Sequence, residues 1–195
     1  MKKIEINING AIGKEENNTL ESVKKTINQF DLSNAKIVVN IDSLGGFVDD
    51  AFEIYEYLNQ LKNEYGVIIE TLCNGDYVAS SATVIAQAAS PNMRGISKKT
   101  NYLIHCCTRD GENSFNNNRH RDNLIEHDKR IAKIYSDNSN GTLNKAKALT
   151  IMRKNKGDGE WQTPKEVVEN GLADFIIEKR QSFILRIFNK LKNIF

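Results

Sequence analysis

Three places in this 195-residue sequence gather residue types able to do chemistry. Ser80 and Ser81 follow Ala79 where a helix of small residues begins. A helix start leaves backbone N–H groups unpaired and carries the positive end of the helix dipole, so negative charge developing there is favoured. Serines at such a point also serve as ordinary caps. Ala79, Ala82 and Ala86 leave room for a substrate chain to approach, which favours a functional reading. Gly45-Gly46 comes straight after an apolar, β-branched run. Such a pair is either a tight turn or an exposed amide aimed at a negatively charged oxygen, with Gly46 the candidate donor. His105 closes the apolar run Tyr102-Leu103-Ile104, where an imidazole is either satisfied in the core or put to use. Cys106 and Cys107 follow directly and read as small buried hydrophobes, although an exposed thiol beside His105 is open to activation. His120 and His127 lie in polar, helical surroundings and receive no role.

The elements that must position these residues alternate in type. Lys3 to Ile8 alternates apolar and polar as a strand, and Asn18 with Glu21 offers a capping-box-like start for a helix over 19–30. Ala35 to Ile41 is a strand buried on both faces, followed by Ser43-Leu44-Gly45-Gly46. Phe47 to Lys62 places Val48, Ala51, Phe52, Tyr55, Leu58 and Leu61 on one helical face. The unit then repeats: Val67 to Cys73 as strand, Asn74-Gly75-Asp76 as punctuation, Ala79 to Ala89 as helix. A linker with Pro91 and Gly95 leads to a short strand over Tyr102 to Cys106. Residues 108–123 are polar and Asn-rich. From Leu124 to Met152 runs a helical stretch broken at Ser139-Asn140-Gly141, an excursion from the sheet. Thr163-Pro164-Lys165-Glu166 has the form of a capping box with proline at the first helical position, and Gly171 closes that helix. Asp174 to Glu178 is the last strand. Alternating strands and helices predict an α/β fold with a mostly parallel sheet.

Composition narrows the function. The length fits one domain. The 27 basic and 25 acidic residues leave a net charge of +2, which gives no footprint for nucleic acid. Three cysteines, an odd number, in a chain without a signal-peptide pattern argue for a reducing compartment, with the cytoplasm expected. No window approaches the ~20 apolar residues of a membrane span.

The order of strand, Ser43-Leu44-Gly45-Gly46, amphipathic helix, Ala79-Ser80-Ser81-Ala82-Thr83-Val84-Ile85-Ala86 and Leu103-Ile104-His105 resembles the Clp protease proteolytic-subunit (ClpP-like) family. Trp161-Gln162-Thr163-Pro164-Lys165-Glu166 and Asn170-Gly171-Leu172-Ala173-Asp174 resemble its C-terminal end, so the likeness spans residues 1 to about 180. Gly10-Ala11-Ile12-Gly13 and Trp161 are most similar to the shorter, prophage-encoded head-maturation branch.

The resemblance implies a crotonase-like α/β fold, a mostly parallel sheet with flanking helices. Its helical handle, residues 119–153, would interlock heptameric rings into a chamber with the active sites inside. It implies a serine-type endopeptidase, with Ser80 as nucleophile, His105 as general base, and the Gly46 and Ser81 amides as oxyanion hole. Ser81 is the alternative nucleophile, but the family's Ala-Ser pair falls on Ala79-Ser80. Family members carry an acid two residues before the aromatic matched by Trp161, and here that position is Gly159. Asp158 and Glu160 flank it, and Asp158 is the expected third member of a triad. One extra residue between Gly75 and Ser80 is a further departure.

The implied substrate is an unfolded or flexible polypeptide, such as a capsid or scaffold protein during phage head maturation, and no metal or cofactor is expected. An ATPase unfoldase partner stays open, because little chain precedes the first strand. Two rivals stand beside this reading. One is a catalytically silent, scaffold-like ring in which the acid is lost at Gly159. The other is a crotonase-type acyl-CoA enzyme, which relies on glutamates and needs no nucleophilic serine. Residues 181–195 lie outside the likeness. Phe183, Ile184, Ile187, Phe188, Leu191 and Ile194 form an apolar stripe beside Arg186, Lys190 and Lys192, a basic amphipathic helix suited to a membrane surface, a partner or a neighbouring subunit.

Overall fold

The structure, a computed structural model, describes residues 1–13, 18–109 and 111–178; the expected C-terminal helix lies outside them. In chain order the elements are β1 (Lys2–Asn9), α1 (Leu20–Ile27), β2 (Ala35–Ser43), α2 (Val48–Tyr65), β3 (Ile68–Ala79), α3 (Ser81–Ala86), β4 (Arg94–Ser97) and β5 (Asn101–Ile104). A small hairpin of β6 (Thr108–Arg109) and β7 (Glu112–Asn113) precedes α4 (Arg121–Asn138) and α5 (Lys145–Met152). A 3-10 turn (Lys154–Gly157), β8 (Glu160–Gln162), α6 (Pro164–Glu169) and β9 (Phe175–Ile177) complete the described chain.

The sheet runs β1-β2-β3-β4-β9, with β5 joined to β3 and β8 joined to β5. Every pairing in it is parallel except β5 with β8. The β-branched run Ile37-Val38-Val39 is buried on both faces in β2, Ile37 and Val39 in one core with Phe52, Ile54 and Leu58 of α2. Alternation in β1 buries Ile4, Ile6 and Ile8 and leaves the residues between them exposed.

Four local readings change. The helix start near Asn18 is capped by Thr19, whose side chain exchanges bonds with Ser22. Asn74-Gly75-Asp76 does not end its strand, because the Asp42 carboxylate accepts from the Asp76 and Tyr77 N–H groups as the β2–β3 register shifts. β3 therefore continues to Ala79, pairing with β4 through its first half and with β5 through its second. The stretch around Gly95 is a sheet strand. Its Arg94 forms a buried ion pair with Asp174 and donates to the Gln87 side chain and the Gly171 carbonyl, tying β4 to the turn before β9. Tertiary partners of this kind leave no local mark in a sequence. The helix after Ser80 ends at Ala86, short of Ala89. The Thr163 capping box forms as the spacing predicts, and the helical excursion breaks after Asn138.

Candidate active site

Ser80 is delivered by the turn from β3 into α3. Its N–H donates to the Leu103 carbonyl at 3.0 Å. Ala79 pairs with Leu103 in register, so Ser80 and His105 sit at the C-terminal ends of neighbouring parallel strands. That is the edge at which open α/β sheets gather their ligands. Ser80 adopts φ 57° and ψ −133°, a region that costs an L residue about 1–3 kcal/mol. Its side chain makes no capping bond, so the hydroxyl is not engaged by the helix it precedes. Thr83 holds the turn instead: both its N–H and its hydroxyl donate to the Ser80 carbonyl.

Gly45 makes this approach possible. A β-carbon there would lie 2.6 Å from Ser80 Cβ and 3.1 Å from its Oγ, at a φ of +101°. Beside it, the Gly45 carbonyl accepts from Ile12, and Phe47 N–H donates to Ile12. Between these two bonds the Gly46 N–H has no partner among the described residues. The Ser81 hydroxyl donates to the Gly46 carbonyl at 3.2 Å, fixing the first residue of α3 against the glycine turn. Gly46, Ser80, Ser81 and His105 line one cavity of about 1170 Å³, which is also lined by His120, just before α4, and by His127 and Tyr135 of α4. Both histidines left without a role by the sequence thus face this space, and His127 Nε2 lies 3.5 Å from Asp49 Oδ1.

Burial holds the His105 imidazole below its usual value, while the Cys106 backbone, Asp128 and Asp158 pull it partly back. At neutral pH the ring is therefore free to accept a proton. The neighbouring thiols are poor nucleophiles: burial pushes Cys106 up to about 12 and drives Cys107 up as well.

The carboxylates flanking Gly159 go different ways. Asp158 accepts from the Asn113 side chain at 3.4 Å, and Glu160 pairs with Lys154 at the surface. At Gly159 itself the backbone, with φ +70°, passes so close to β5 that a Cβ would lie 2.3 Å from the Ile104 carbonyl oxygen. No side chain fits there.

Sequence reasoning missed Asp128. It is 1% exposed and its Oδ1 accepts from the Cys107 N–H at 2.7 Å, two residues beyond His105. The signal was present in the spacing: Leu124, Asp128, Ile131 and Tyr135 share one helical face, and all four are buried.

The fold is that of the Clp proteolytic subunits. The chain superposes on a point mutant of ClpP1 from Listeria monocytogenes with a TM-score of 0.71 at 22% identity, covering 91% of this chain and 92% of the other. It superposes on the catalytic domain of the Plasmodium falciparum ClpP protease with a TM-score of 0.66 at 19% identity, covering 92% and 87%. An ATP-dependent Clp protease proteolytic subunit from Streptococcus uberis is 27% identical over 148 residues, 74% of this chain and 70% of that protein. The Clp protease family model matches residues 1–180, and the chain belongs to that family. Membership supports a peptidase role. Among the described residues no helix is long and apolar enough to cross a membrane.

Proposed function

We propose that the chain is a serine-type endopeptidase in which Ser80 attacks the peptide carbonyl and His105 takes its proton, then passes it to the leaving amine. Water then gives a proton to His105 and attacks the acyl carbonyl, and His105 passes that proton to the departing Ser80 Oγ. The Gly46 and Ser81 amides carry the charge of the tetrahedral oxyanion. The observation that carries the reading is the convergence of a strained, uncapped serine and a histidine on one cavity, from the ends of adjacent strands. Ser81 is the weaker nucleophile, because it is buried and its hydroxyl is already bonded. Asp158 is the proposed third member, acting on His105 through its field while Asn113 holds the carboxylate.

The substrate class that fits is an unfolded or flexible polypeptide. Leu44 and Phe47 stand exposed beside the glycine turn, where an extended apolar segment can lie along them. Assembly into heptameric rings, residence in the cytoplasm and processing of phage structural proteins accord with the family and its prophage branch. A fluorophosphonate probe is expected to label Ser80, and Ser80→Ala to abolish both labelling and cleavage of a fluorogenic peptide.

The second reading is a silent ring. It is favoured by one observation, the backbone that excludes a side chain at Gly159. Among the described residues no hydrogen bond joins Ser80 to His105, but such bonds often close only around substrate. An assembled protein that stays unlabelled decides for the silent ring.

A further inference from the structure

We infer that one buried face of α4 positions both members of the proposed catalytic pair, Asp128 gripping the chain that carries His105 and Tyr135 gripping the turn that carries Ser80. The inference rests on the reading of Ser80 and His105 as that pair. The two residues are seven apart, two helical turns, and so share a face. Each is 1% exposed.

The first grip is the 2.7 Å bond from the Cys107 N–H to Asp128 Oδ1. It fixes the backbone two residues past His105 and brings a carboxylate whose charge acts on the imidazole. The second runs through Thr83. The Thr83 hydroxyl has one proton and donates it to the Ser80 carbonyl, so at its 2.6 Å contact with Tyr135 the phenol must be the donor. Burial pushes the Tyr135 phenol well up, which keeps that proton in place. A buried carboxylate is costly to desolvate and a buried phenol must find a partner. Both are here directed at the two short segments that carry the chemistry.

Asp49, Asp50, Glu53, Arg109, His120, Glu126 and His127 also line the cavity with His105. His105 meets Asp128 from α4 and Asp158 from the loop before β8, while Asp128 also meets Cys106, Cys107 and Arg153, and Cys107 meets Asp49 of α2. The Asp128 and Asp158 charges both favour the protonated ring of His105, so removing that of Asp128 lowers the affinity of His105 for a proton.

The test titrates the three histidines by NMR of 13Cε1-labelled imidazoles in the full chain, assigning His105 with His105→Gln. Asp128→Asn is expected to move the His105 titration to lower pH, with the fold intact by circular dichroism. Asp128→Glu, which keeps the charge, leaves it near wild type and serves if the Asn variant does not fold. Tyr135→Phe is expected to slow fluorophosphonate labelling of Ser80 about tenfold while leaving the His105 titration in place. Titrations that superimpose in wild type and Asp128→Asn, or a Glu variant that shifts as far as Asn, overturn the inference. Tyr135→Phe labelling at the wild-type rate overturns its second arm. If Asp128→Asn shifts the His105 titration as expected while wild type never labels, the peptidase reading is refuted and the role of Asp128 is upheld.

Discussion

Replacing Gly45 by alanine tests the geometry on which the proposed chemistry depends, because the new methyl group is directed at the nucleophile itself. The added Cβ would stand 2.6 Å from Ser80 Cβ and 2.9 Å from the Ala79 carbonyl oxygen. The first distance is 0.8 Å short of the 3.4 Å at which ordinary contact begins, and neither a Cβ, which is fixed to its own backbone, nor the Ala79 backbone oxygen can swing aside as the far end of a side chain could. Ser80 must therefore move by a large part of an ångström. Misplacement on the order of 1 Å costs about 100-fold in rate, equivalent to about 2.7 kcal/mol of barrier. Alanine at a φ of +101° adds about 1–3 kcal/mol of backbone strain to the folded state. The assay is kcat/KM on a fluorogenic peptide together with the fluorophosphonate labelling rate, measured beside urea unfolding. Gly66→Ala is the control. It too has a positive φ, +63°, but nothing lies within 4 Å of its Cβ, so it loses stability and keeps its activity. A Gly45→Ala enzyme within about threefold of wild type in both rates would refute the reasoning.

Three further outcomes follow from the same geometry. Gly159→Asp, which supplies an acid where relatives carry one, is expected to lower stability and leave cleavage no faster, since its Cβ would meet the Ile104 carbonyl oxygen at 2.3 Å; a several-fold gain in kcat would show that the loop adapts. Because burial holds His105 below the usual 6.5, the unfolded chain binds its proton more readily than the folded one. The stability given by the neutral ring is thus present above that value and falls away as pH drops through the folded one, and the acid limb of kcat/KM is expected below pH 6.5. Arg94→Met strands the Asp174 carboxylate and is expected to cost about 3–5 kcal/mol in urea unfolding, with labelling at Ser80 retained at low temperature; an unchanged midpoint would show that the pair contributes nothing.

The hydrophobic pattern by itself determined the alternation of strands and helices, the parallel sheet, and the points where Gly45, Ser80 and His105 fall. Local chemistry sufficed for these, since β-branched runs, helical spacing and the Thr163 capping box act over a few residues. The family likeness added the order of motifs, which no single segment carries.

Folding alone decided the rest, because it depends on which distant groups meet. The Asp42 carboxylate turns an apparent break at Asn74-Gly75-Asp76 into a continued strand, and so places Ser80 beside β5. The stretch around Arg94, a linker by its composition, is a core strand paired with β3 and β9, and Asp174 satisfies its buried guanidinium. The loop at Gly159 has no room for a side chain because its backbone runs against β5, while a carboxylate at the eighth residue of α4, Asp128, bonds the chain two residues past His105. A sequence records which groups are available at each position; the packing of α4 across the sheet's end settles which of them reach the histidine.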